Sequence, residues 1–494
     1  MFVVAGPVCA QDTAPLAAID WLSDSVNSPQ DDAPAPNAID EEPVAGSAAA
    51  PSVSVTALDA PSADPIGLLA PNVTGLPRDL WSGSDASTVA TLLAGQRVDG
   101  LPATQQLLRQ LILAEADAPI SSDGRDALFL ARIDKLLDMG ALDPALAMLE
   151  QVDVKSPDIF RRWFDVALLT GTEDQPCAYM RDTPATAPTS TTRIFCLARN
   201  GDWSAAALTL NTHVALGDID DDMANLLSRF LDPDLYDGEA LLPPPDRISP
   251  LVFRMREAIG EALPTNNLPM AFAHADLRSN VGWKSQLEAA ERLARSGAIA
   301  ASALRGFYLA RTPAASGGIW DRVDAIQRLD TAITSRSANA INRALPDAWR
   351  AMQASRTEIA FATLFGPALA KSDLDHEIAT KLALLSPKAE SFAQTRSEPG
   401  FLSAVAMGTP SDGTTELERA ISQAFLDPRP DPSLSQLAQS GKLGEALLQS
   451  LASFDTATHD MVTMTEILSF WRSVGLEGLA RRAAIQRVLL DRAQ

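Results

Sequence analysis

The sequence predicts an all-α body of stacked antiparallel helix hairpins, preceded by a long disordered acidic arm. Three observations predict it. From about residue 85 onward apolar residues recur at helical spacing. No comparable run alternates with period two and β-branched enrichment. Finally, one phrase recurs along the body, in which a helix ends in Leu and Gly and the next opens with Ala-Leu.

The chain opens MFVVAGPVCAQD, an apolar stretch with small residues at Val8 and Ala10 before the polar Gln11. This pattern reads as the end of a secretory signal, so residues 1–10 are taken as its remnant and the protein is expected to be exported, to the periplasm of a bacterium. No Lys or Arg precedes Arg78, so the basic n-region of such a signal is missing. Bacterial origin is inferred from that start and from 33 Arg against 7 Lys. In an exported chain Cys177 and Cys196, 19 residues apart, are expected to form a disulfide.

Residues 11–84 read as a disordered Ala/Pro/Asp-rich arm. Between Gln11 and Pro77 lie ten acidic residues and no basic one, and eleven of the chain's 34 prolines fall within the first 77 residues. Such a stretch buries too little apolar surface to offset the entropy of ordering it. Two apolar islands interrupt it. Ile19, Trp21 and Leu22 form a candidate partner-binding motif, open equally to docking on the chain's own body. The second, Ile66 to Leu69 leading to Leu80 and Trp81, adjoins the body and is expected to dock on it.

Individual helices are legible in the body. Ser156 caps a helix with Pro157 at its first position, and Phe160, Trp163, Phe164, Ala167 and Leu168 follow the helical template until Gly171. Trp283, Leu287, Ala290 and Ala294 mark a second, with Glu288–Arg292 and Glu291–Arg295 expected on its outer faces. Thr415 and Glu418 have capping-box spacing. The recurrent phrase places helix-ending glycines at 140, 201, 297, 441 and 475. Glycine takes the left-handed conformation that stops a helix, and small alanines let the next helix cross closely.

These hairpin-sized units resemble the helix-turn-helix unit of tetratricopeptide-like repeats, and Gly441 and Gly475 stand 34 residues apart, the length of that repeat. The remaining gaps are longer and the full repeat signature is absent. The resemblance implies a degenerate α-solenoid and names no particular family. A Pro- and Asp-rich connector over 231–248 divides the body into an N-terminal lobe, 85–240, and a C-terminal helical-repeat lobe, 241–494, with a sub-boundary near 400.

Composition limits the function. Lys+Arg is 40 and Asp+Glu is 63, a net charge of −23, which argues against nucleic acid or anionic lipid as the partner. No apolar run is long enough to span a membrane. The four histidines, His213, His274, His376 and His459, have no metal-ligand spacing, and GxSxG, GxxxxGK[ST] and HExxH are absent. No catalytic residue, metal or cofactor is therefore assigned. His376 lies in the acidic first turn of a helix, and Ser316-Gly317-Gly318 in the turn before another. The final segment, 471–494, carries Arg472, Arg481, Arg482, Arg487 and Arg492 against Glu477 and Asp491, a charge contrast that would let the acidic arm fold over the C-terminal helix. The expected function is a non-enzymatic scaffold or chaperone-like protein that binds protein partners in the cell envelope. The alternative is an exported glycan- or peptidoglycan-active enzyme with an unfamiliar helical site. An extended surface of apolar and Arg side chains would favour the first, and a compact pocket with perturbed carboxylates the second.

Overall fold

The computed structural model describes residues 62–120, 126–152, 156–371 and 376–490. The signal-like start, Cys9 and the motif Ile19, Trp21 and Leu22 lie outside the described residues.

Among the described residues the regular structure is helical throughout. In chain order the helices are α1 Pro71–Thr74, α2 Ala86–Ala94, α3 Pro102–Leu113, α4 Ala127–Asp138, α5 Leu142–Leu149, α6 Pro157–Thr170, α7 Asp174–Asp182 and α8 Ser190–Arg199. They continue with α9 Trp203–Leu216, α10 Asp221–Leu231, α11 Pro250–Ala258, α12 Trp283–Arg295, α13 Ala301–Leu309, α14 Ile319–Thr334, α15 Ala338–Ser355 and α16 Glu358–Leu369. The last are α17 Glu377–Leu385, α18 Ala389–Gln394, α19 Phe401–Met407, α20 Glu416–Leu426, α21 Pro432–Gln439, α22 Leu443–Thr456, α23 Met461–Ser473 and α24 Glu477–Leu490.

The local signals act as their chemistry requires. Ser156 accepts the amide of Ile159 at the start of α6, and Gly171 ends that helix with φ +81°. Thr415 and Glu418 form both halves of the capping box of α20. Gly140, Gly201, Gly297, Gly441 and Gly475 all have positive φ, and each joins two helices packed as a hairpin. One surface reading changes. Glu291 of α12 is buried: Tyr308 donates to it at 2.6 Å, and Arg322 forks onto both of its oxygens at 3.0 and 2.9 Å. Arg292 turns instead to the carbonyls of Thr265 and Leu268.

The acidic arm drawn to residue 84 is too long. Ala63, Leu76, Leu80 and Trp81 are buried in the main core, as expected of the second apolar island. The fully buried Arg132 of α4 holds this stretch in place. Its guanidinium donates to the carbonyls of Ile112, Asp64 and Ala114, and burial lowers its pKa to about 10. Asp126, at φ +54°, accepts the amide of Ala63 at 2.6 Å.

The division near 240 does not coincide with a change of core either. One core runs from Ala63 to Ile485, while a second lies between Phe160 and Met255 on α6–α11. The connector belongs to the second, where Arg256 donates to the carbonyls of Leu242 and Pro243. The hairpins do not run as an open row in which each touches only its neighbours. Gly444 donates to the carbonyl of Leu80 at 3.1 Å, Gln96 to that of Leu448 at 3.1 Å, and Thr104 to Asp455 at 2.9 Å. The first and last helices therefore pack together and close the stack.

Candidate binding cavity

Closure forms a half-open cavity of about 540 Å³, within the size range of ligand pockets. Six stretches wall it: α3, the α12–α13 turn, the α15–α16 junction, the α17–α18 junction, Ala406 of α19, and α24. Its lining carries five arginines, Arg109, Arg295, Arg356, Arg481 and Arg482, against two glutamates, Glu358 and Glu390.

Each arginine is positioned by the local fold. Arg109 reaches from α3 to the recurrent turn at Gly297, donating to the carbonyls of Ser296, at 2.7 Å, and Gly297. Gly297 suits that turn because its φ is +67°, a conformation that L side chains rarely adopt. Arg295, at the end of α12, donates to the carbonyl of Ser355 at 2.6 Å. Arg356 follows directly after α15 at φ +54°, a conformation that non-glycine residues seldom take. Arg481 pairs with Glu477 at 3.1 Å and Glu390 at 3.5 Å.

Arg482 differs from the rest. Among the described residues its guanidinium has no hydrogen-bond or ion-pair partner, its Nε is buried, and burial lowers its pKa. Burial likewise lowers the pKa of Arg109 and Arg295. Arginine nonetheless stays protonated, so these groups attract anions and do no acid–base work. On α3 the buried Gln105 donates to the carbonyl of Arg97, and its Oε1 has no partner among the described residues. The cavity thus offers unused donors at Arg482. Its lining contains no His, Cys or Tyr.

Sequence reasoning marked the arginines of the final helix but not their different fates. Arg472 is held by Glu477 at 2.6 Å and by the carbonyls of Ala424 and Phe425. Arg487 is buried over the Phe454 ring. Among the described residues of that segment only Arg481 and Arg482 line the cavity, and Arg492 lies outside them. No local signal marks Gln105, Arg109, Arg295 or Arg356 as cavity residues, because their meeting depends on closure.

Other candidates fall where the structure puts them to local use. His376 caps α17, its Nδ1 accepting the amide of Ile378 at 3.1 Å. The amide of Gly317 donates to Asp321 at 2.9 Å, so that turn serves its own helix. The sulfur atoms of Cys177 and Cys196 lie at disulfide distance inside the second core, with Cα atoms 4.9 Å apart. Among the described residues no three His, Cys, Asp or Glu side chains are grouped to hold a metal, and no helix is long and apolar enough to cross a membrane. A further surface stands out on α9, which has no Asp, Glu, Lys or Arg and leaves Trp203, Leu208 and Leu216 exposed.

The chain matches no protein-family profile, no curated protein and no solved structure.

Proposed function

We propose that this protein is a non-enzymatic binding scaffold of the bacterial envelope, exported to the periplasm, whose cavity takes an acidic segment of a protein partner. The chemistry of the cavity wall carries this reading. Guanidinium groups outnumber carboxylates, Arg356 and Arg482 have no acidic partner among the described residues, and the lining they form holds no His or Cys. Guanidinium is the side chain best matched to a carboxylate, which it binds through two parallel hydrogen bonds. The exposed apolar side chains of α9 support a protein partner. The cysteine pair and the signal-like start support export.

Fluorescence anisotropy with a labelled glutamate-rich peptide tests the reading. Binding to the full chain is expected, weakening with salt and falling about tenfold in the Arg356→Ala/Arg482→Ala variant. Equal binding by that variant, or turnover of peptidoglycan by the full chain, would overturn it.

A further inference from the structure

The proposed reading leaves open which acidic peptide fills the cavity. We infer that its resident occupant is a segment of this same chain, Ile39-Asp40-Glu41-Glu42; this inference rests on the cavity being a site for acidic peptides.

Four observations point to that segment. First, the cavity concentrates positive charge in a chain of net charge −23. An N-terminal stretch with ten acidic and no basic residues is therefore a nearby counter-charge. Second, Asp40-Glu41-Glu42 is the longest unbroken acidic run in that stretch.

Third, the wall suits a peptide better than a simple anion. Arg482 has no acceptor among the described residues, and a carboxylate supplies one. The apolar part of the wall, at Ile359, Leu385 and Ile485, matches Ile39.

Fourth, the tether reaches. Arg132 binds the carbonyls of both Asp64 and Ile112, so the described chain begins beside the C-terminal end of α3. Arg109 precedes Ile112 by one helical turn, about 5 Å. Residues 43–61 connect Glu42 to that point, and a coil of that length has a root-mean-square span of about 24 Å. A tether of this kind holds the segment at an effective concentration in about the millimolar range. Any partner must therefore displace it.

The test uses the full chain and a fluorescein-labelled peptide with the sequence of residues 36–45. The peptide is titrated against the native chain and against the Asp40→Asn/Glu41→Gln/Glu42→Gln variant. About tenfold tighter binding by the variant is expected, because the tethered competitor is gone. A photo-reactive benzoylphenylalanine at position 38 should crosslink within the same molecule to peptides of α3 or α24. Equal binding by the two chains, or crosslinks that avoid the cavity wall, would refute the self-docking and leave the acidic-ligand reading standing. Absence of peptide binding to both chains would refute the two together.

Discussion

The indole of Trp81 lies against the backbone of Gly444, so close that a Cβ at residue 444 would stand 2.3 Å from the ring. The Gly444 amide also donates to the carbonyl of Leu80. This contact joins the first packed segment to a helix near the end of the chain. Gly444→Ala must displace a fully buried Trp, and overpacking of this kind costs about 1–3 kcal/mol. A lower unfolding midpoint by circular dichroism is expected, whereas Gly478→Ala, where the nearest atom is the end of the flexible Arg482 side chain at 3.3 Å, should change little.

Arg482 is a partly buried charge without a partner in the folded body. Such a group costs stability and is kept for what it binds. Arg482→Met keeps the stem and removes the charge. Its thermal stability should equal or exceed that of the native chain by about 0.5–2 kcal/mol, with acidic-peptide binding reduced. A marked loss of stability would mean the guanidinium is structural.

At Arg356 the backbone is left-handed, where glycine is the easier residue. Arg356→Gly should therefore leave folding unharmed or improve it by up to about 1 kcal/mol. Peptide affinity should fall because the cavity loses one of its guanidiniums. Calorimetric unfolding and anisotropy on the same preparation separate the two effects.

Asp165 of α6 is buried with Oδ2 unpaired, and its pKa is pushed up to about 7. Burial raises it, Arg161 and Arg162 oppose the rise, and Asp134 adds to it. The folded value thus lies above the unfolded one, near 3.9. Stability from this group is complete below about pH 4, falls as pH rises and is lost above about pH 7, a change of about 4 kcal/mol. Asp165→Asn should flatten the urea-unfolding stability profile across that window. An unchanged slope would show that the carboxylate ionises in the fold as it does in the unfolded chain.

Reduction of the Cys177–Cys196 pair removes a crosslink between α7 and α8. For a loop of 19 residues the chain-entropy estimate is about 3 kcal/mol. The loss should appear in calorimetry with reductant and in the Cys177→Ala/Cys196→Ala variant. Hydrogen exchange should locate it in the second core, with helices α14–α17 unaffected.

The helices were legible because their signals are local. Ser156, Pro157 and Gly171 bound α6 through contacts within a few residues of each other, and the five glycine turns needed only their own left-handed backbone. Glu291 was misplaced for the opposite reason. Its spacing from Arg295 describes one helix surface, whereas its burial depends on Tyr308 and Arg322 arriving from α13 and α14. The same limit hid the end of the arm, since residues 63–81 are held by a buried Arg132 that sequence distance does not connect to them.

By itself, then, the sequence determined the helical class, the hairpin unit, the acidic N-terminal stretch and the basic C-terminal helix, because periodicity, caps and charge runs act over short range. Only the tertiary structure decided that the stack closes, and with it the cavity. Arg109 and Arg482 line one space because α3 packs on α24, where the amide of Ala103 meets the side chain of Gln486 at 2.7 Å across most of the chain's length. Burial of apolar faces drives that closure, and burial is non-directional: it depends on which surfaces remain uncovered once all the hairpins have formed.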